Sequence, residues 1–138
     1  MFLPIERRLD VGAARLAAQH MKAPHYILPE TGSSDHTIGL FARMQVVVSM
    51  RLHALVFAAG QGVPLVGVVY DQKISSFLSY IGQDLYTDLN EVTAEGLRHY
   101  IDGACARIGD QEFLSGGVDR LRRVEERNSE TARKLLER

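Results

Sequence analysis

Arg51 and His53 are the side chains best placed by type and spacing to do chemistry. They flank Leu52 and follow Ser49-Met50 in the run QVVVSMRLHALVFAAGQGVPLVGVVYDQK, residues 45–73. An arginine offers a planar fork that grips phosphate or carboxylate through two hydrogen bonds. A histidine is the side chain whose ordinary titration lies near neutrality, which suits proton donation or electrostatic support. Both fall where a helix is predicted to start, beside free backbone N–H groups and the positive end of the macrodipole. A cation there is locally unfavourable, and a bound anion resolves the conflict. The sequence leaves a second reading open, in which Arg51 pairs with an acidic side chain from elsewhere and His53 is a satisfied core residue.

The elements that position these residues follow from pattern. Val46, Val47 and Val48 form an apolar run suited to a strand covered on both faces. Ser49 is a good N-cap for the helix that follows. Leu52, Leu55, Val56 and Ala59 recur at helical spacing, and Ala54, Phe57 and Ala58 fill the gaps, so the helix is expected to be apolar nearly all round and deeply buried. Gly60, Gly62 and Pro64 end it. Leu65 to Val69 reads as a second buried strand, and Asp71-Gln72-Lys73 opens the next loop. Lys73 can add a second positive charge near Arg51, or can be a solvent-facing lysine that opens a helix.

The stretch from Ser49 to Lys73, S-M-R-L-H-A-L-V-F-A-A-x-x-G-V-P-L-V-G-V-V-Y-D-x-K, resembles the signature of the polysaccharide pyruvyl transferase family. Likeness extends upstream to Phe2-Leu3-Pro4 followed by Asp10, and downstream through Ser76-Phe77-Leu78 and Gly82, so it spans most of residues 1–90. The resemblance implies transfer of pyruvate from phosphoenolpyruvate to a sugar of a cell-surface polysaccharide or its lipid-linked precursor. A cyclic pyruvate ketal forms and phosphate leaves. Arg51-Leu52-His53 matches the family's donor-binding motif and inherits that role: Arg51 as anion clamp, His53 either as general acid or as a phosphate ligand only. The implied donor is phosphoenolpyruvate with no other cofactor, and the implied partners are a glycan or lipid-linked acceptor and an N-terminal domain of the same chain. The implied setting is a cytoplasmic enzyme of cell-wall polysaccharide biosynthesis, working at the inner face of the membrane.

Bulk composition is neutral in tone. The 138 residues suffice for one domain, residues 1–138. Lysine plus arginine number 16 against 17 acidic residues, which argues against a nucleic-acid groove. The one cysteine, Cys105, has no internal disulfide partner and reads as a buried helical thiol. No apolar run approaches the ~20 residues that span a bilayer. The histidines show no zinc spacing, and no metal site is expected.

In chain order, Phe2 to Ile5 reads as a strand, Val11 to Met21 as an alanine-rich helix stopped by Pro24, and His25 to Leu28 as a strand. A strand at the very start suggests a C-terminal piece of a longer two-domain chain. Thr31, Gly32 and Ser33 follow the second strand and are either site residues or a connection with an N-cap. Asp35 to Met44 reads as a helix with Ile38, Phe41 and Ala42 inward. Beyond the central unit, Ile74 to Ile81 is predicted helical, Leu85-Tyr86 a short strand, and Thr93 the cap of a helix ending at Gly109. A charged final helix runs from Glu112 to Arg138, with Ser115-Gly116-Gly117 as its weak point.

The alternation says α/β, with an open parallel Rossmann-like sheet of about five strands and helices on both faces. The resemblance adds that this is the C-terminal half of a glycosyltransferase-B-type fold. Strand-to-helix loops of such a sheet share one edge, which gathers Glu6 to Arg8, Thr31 to Ser34, Ser49 to His53 and Tyr70 to Lys73. The substrate-binding set is thus Ser49, Arg51, Leu52, His53, Asp71, Lys73, Thr31, Gly32 and Ser33. Glycosyltransferases and sugar epimerases of the same layout remain an alternative. They place a nucleotide-sugar phosphate at a helix start and need a ribose-binding carboxylate, for which Glu95 is the nearest candidate. A non-catalytic ligand-binding domain is the third reading.

Overall fold

Parallel strands need long crossovers, and helices supply them throughout this chain. The computed structural model describes residues 1–30 and 32–137. Their order is α1 (Arg7–Gln19), α2 (Ser34–Phe41), β1 (Val47–Ser49), α3 (Leu52–Gly60), β2 (Leu65–Val69), α4 (Gln72–Tyr80), β3 (Tyr86–Asp88), α5 (Ala94–Ala106) and α6 (Gln111–Leu136). The chain is α/β and divides into two compact units, Met1–Leu40 and Phe41–Arg138.

In the first unit, the strands expected at Phe2–Ile5 and His25–Leu28 reduce to one parallel bridge between Phe2 and Ile27. Two backbone bonds hold it, Phe2 N–H to Tyr26 O at 2.7 Å and Leu28 N–H to Phe2 O at 3.0 Å. Proline explains the brevity. Pro4 has no N–H to extend the ladder, and Pro24 and Pro29 bracket the second segment. Helix α1 starts earlier than periodicity suggests, because the Asp10 carboxylate reaches back to accept from the N–H groups of Ile5 (3.1 Å) and Glu6 (2.8 Å). Helix α2 runs from Ser34 to Phe41 rather than to Met44; Ala42 lies in an exposed turn and is not inward.

The second unit holds a three-stranded parallel sheet in the order β1-β2-β3. Val47 pairs with Leu65, Ser49 with Gly67, Gly67 with Tyr86, and Val69 with Asp88. Leu65, Val66 and Gly67 are consecutive and all buried, so both faces of the middle strand are covered. Leu55, Ala58, Val66, Ile74, Leu78 and Ala104 are fully buried and form the core. Gly67 lets α4 approach the sheet: a Cβ there would lie 2.5 Å from Leu78 Cδ1 and 3.3 Å from Tyr86 Cβ.

Several helix boundaries and faces differ from expectation. The cap of α3 is Arg51, not Ser49, and its buried face is Ala54, Leu55, Ala58 and Ala59 while His53 and Val56 are exposed. Helix α3 is therefore one-sided, although its exposed side carries apolar atoms too. Asp71 is the cap of α4 rather than a loop residue. Cys105 is exposed, because α5 turns Ala104 inward and the cysteine falls one residue off that face. Helix α6 is continuous through Ser115-Gly116-Gly117. Gly117 marks a close approach instead of a break: a Cβ on it would sit 2.1 Å from the carbonyl oxygen of Ile81.

Candidate functional site at the carboxyl edge of the sheet

Each of the three strands ends in a polar turn of the same kind. Ser49 Oγ accepts from the Arg51 amide at 3.0 Å. Asp71 Oδ1 accepts from the Lys73 amide at 2.9 Å. Asp88 Oδ1 accepts from the Asn90 amide at 2.8 Å. A side-chain oxygen bonding its own backbone two residues on makes a tight turn without a glycine. Here it turns the chain out of the sheet three times, at the edge where open parallel sheets hold ligands.

At the β1 end the chain stays extended through Arg51, with φ −91° and ψ 121°, before α3 begins at Leu52. The Arg51 side chain makes no capping bond to its helix and is half-buried. The Arg51 amide is already held by Ser49, so the free donors that face a ligand start with Leu52 and the first turn of α3. No acidic residue lies in that turn. His53 is exposed in the first turn, its ring centroid 6.5 Å from that of Phe57. Phe57 in turn meets buried Phe41 edge-on at 5.9 Å. The imidazole therefore has an apolar wall behind it and an open side.

At the β2 end Asp71 does two jobs. Its Oδ1 caps α4, and its Oδ2 lies 3.7 Å from Lys73 Nζ, with both side chains substantially exposed. Tyr70 is exposed between them and the strand. Ser49, Arg51, Leu52, His53, Asp71 and Lys73 thus lie on neighbouring strand ends of one sheet.

Gly32 and Ser33 lie in the first unit. Gly32 has φ +71°, and Ser33 Oγ accepts from the His36 amide at 3.3 Å, so Ser33 starts α2 as a cap. Thr31 lies outside the described residues. In the same unit Arg7 Nη1 and Glu30 Oε1 pair at 3.0 Å.

The sequence reading passed over Asp88 and Asn90, although it placed Tyr70 at this edge. A signal for both was present: Asp88-Leu89-Asn90 repeats the polar-x-polar spacing of Ser49-Met50-Arg51 and Asp71-Gln72-Lys73 after a strand.

The fold and this edge define an α/β protein with three polar strand-to-helix turns on one parallel sheet. The profile of the polysaccharide pyruvyl transferase family matches residues 1–72, just over half of the chain, and the protein belongs to that family. The matched region includes Ser49, Arg51, Leu52, His53 and Asp71. Comparison with curated proteins and with solved structures gave no match.

Proposed function

We propose that this chain carries the donor-binding part of a pyruvyl transferase that takes pyruvate from phosphoenolpyruvate. The observation that carries the reading is the Ser49–Arg51–His53 constellation at the first turn of α3, inside the region that the family profile matches. A helix start without an acidic residue, an arginine at its cap and an exposed histidine in its first turn suit an anion bearing phosphate and carboxylate.

In this reading Arg51 clamps the anion and the amides from Leu52 onward add donors. The enol methylene takes one proton, and a sugar oxygen bonds the adjacent carbon. Phosphate leaves as that carbon becomes oxocarbenium-like, and a second hydroxyl closes the ketal. Of the two hydroxyl protons released, one balances the new methyl group and the other leaves with phosphate. His53 is the residue we assign to proton delivery, with phosphate binding as its alternative role. Asp71 and Lys73 orient the neighbouring turn. In this reading the chain is the C-terminal half of a glycosyltransferase-B-type enzyme, acting with an N-terminal domain on a glycan or lipid-linked acceptor.

The test is transfer of label from isotopically labelled phosphoenolpyruvate to an acid-labile ketal, using the full-length chain and a lipid-linked glycan fraction. Label in the glycan that disappears with Arg51→Ala supports the reading. Release of nucleoside diphosphate from a nucleotide-sugar, with no pyruvyl transfer, would replace it with a glycosyltransferase.

A further inference from the structure

Helix α1 buries its small apolar residues and exposes its large ones. Ala14 and Ala18 turn inward, whereas Leu9 and Leu16 are 65% and 62% exposed. Burying a leucine stabilises a fold more than burying an alanine, so packing within the chain alone would favour the opposite rotation of this helix. The two leucines are seven residues apart and share one row along the helix, about 10 Å long. Arg8 and Arg15 each precede a leucine and form the neighbouring row, also exposed. Gly12 and Ala13, exposed between the leucines, are too small to screen them.

The exposed surface of α1 carries no carboxylate to answer those arginines. Asp10 is the acidic residue of the helix, and it is half-buried, with Oδ2 accepting from the Ile5 and Glu6 amides at 3.1 and 2.8 Å. Arg7 is paired with Glu30, but Arg8 and Arg15 make no ion pair among the described residues. A second copy of the chain fits this face poorly. A two-fold contact sets a patch against itself, which would bring both sets of arginines to one interface with no exposed carboxylate from either helix. A flat row of leucines beside a row of cations is instead the pattern of a helix that lies in a layer of anionic lipid headgroups.

We infer that the exposed face of α1 is a docking surface for an anionic lipid bilayer. Leu9 and Leu16 enter the boundary between headgroups and acyl chains, and Arg8 and Arg15 meet the lipid phosphates. The contact is peripheral and salt-sensitive, because it rests on two apolar side chains and a few cations. The inference goes beyond the proposed function and stands without it. Within that function, docking holds the chain at the surface that carries a lipid-linked acceptor.

The experiment is co-sedimentation of the full-length chain with vesicles of phosphatidylcholine, with and without phosphatidylglycerol. Two double variants go with it, Leu9→Gln with Leu16→Gln and Arg8→Gln with Arg15→Gln. All four side chains are exposed, so both variants should fold, as thermal melts would verify. The expected result is binding to the phosphatidylglycerol vesicles only, falling as salt is raised. Each double variant should weaken it about tenfold or more, since one cation at an anionic surface is worth about fivefold and a buried leucine more. The leucine variant should bind phosphoenolpyruvate as the wild-type chain does. Vesicle binding by a wild-type chain that does not bind phosphoenolpyruvate would sink the donor reading and leave the lipid contact standing. Three results would overturn the lipid contact: no preference for the anionic vesicles, binding undiminished in both double variants, or a wild-type dimer that binds no vesicle and that the leucine variant dissociates.

Discussion

At the scale of single residues, the electrostatics have two separate centres with separate tasks. Arg51 sits at the candidate anion site. Replacing it with alanine should weaken phosphoenolpyruvate binding by about 1.5–3 kcal/mol, the range for a hydrogen bond to a charged group. Arg107 is structural. Its guanidinium bonds both carboxylate oxygens of Asp84, with Nη2 to Oδ2 at 3.0 Å, and its Cζ lies 4.2 Å above the Phe113 ring. The hydrogen bond from Arg107 holds the Asp84 carboxyl below its ordinary range, against the opposing pull of partial burial. Since the folded carboxyl is the stronger acid, the stabilisation is present above the ordinary carboxylate pKa. It is lost as pH falls through the lowered folded value. The Asp84 side chain is 66% exposed, so solvent screening limits the effect to below about 1 kcal/mol. Asp84→Asn should therefore flatten the acid limb of a stability-against-pH curve by that small amount. Thermal melts of both proteins between neutral and acid pH would measure it.

At the scale of elements, two glycines set how closely helices pack, and neither role is visible from propensity. Gly67 is the point where β2 meets Leu78 of α4, and Leu78 is fully buried. Gly67→Ala should cost about 1–3 kcal/mol of unfolding free energy by overpacking. Gly117 faces the backbone carbonyl of Ile81, which a rotamer change cannot move aside. Gly117→Ala should displace α6 locally, although alanine is by propensity the better helix former. Denaturant unfolding tests both. A Gly117→Ala protein at or above wild-type stability would show that α6 does not dock as described. Helix α6 is held near its start by Leu114, which is buried, and by Arg120 Nη1 donating to Tyr80 O at 3.3 Å. Beyond Val124 its described side chains are all exposed.

These elements show what a sequence discloses and what it withholds. The Gly-Pro stop and the strand from Leu65 to Val69 were legible because burial on both faces requires an unbroken apolar run, whereas in the valine run Val48 is 41% exposed, so β1 is not covered on both faces as expected. Thr93 as the cap of α5 was legible too, and its hydroxyl accepts from the Gly96 amide at 3.0 Å. The two-residue delay before α3 was not, because Ser49 bonds the Arg51 amide in a turn instead of capping a helix, and both arrangements use the same residue. Cys105 illustrates a limit of periodicity. The small residue Ala104 takes the buried position, and a one-residue rotation of the helix face exposes the thiol. The turn at Asp88 escaped notice because the strand was read only at Leu85-Tyr86, whereas β3 runs on to Asp88 through residues that are polar and not buried.

At the scale of the whole molecule, the net charge is −1. Such a chain exerts no long-range attraction on an anionic donor, so affinity must come from the local contacts at the start of α3. Raising ionic strength from about 0.01 M to 0.15 M shortens the Debye length from about 30 Å to about 8 Å. That change should weaken phosphoenolpyruvate binding less than Arg51→Ala does, as calorimetry at the two salt concentrations would show. Among the described residues no helix is long and apolar enough to cross a membrane.

The central claim is that an anion bearing phosphate and carboxylate binds at the carboxyl end of β1. The most direct measurement is amide shift mapping of the isotopically labelled full-length chain titrated with phosphoenolpyruvate, alongside the Arg51→Ala variant. The expected result is a set of saturable shifts centred on Ser49 to His53 that vanish in the variant. Shifts centred elsewhere, or shifts at Ser49 to His53 that persist undiminished without the arginine, would contradict it.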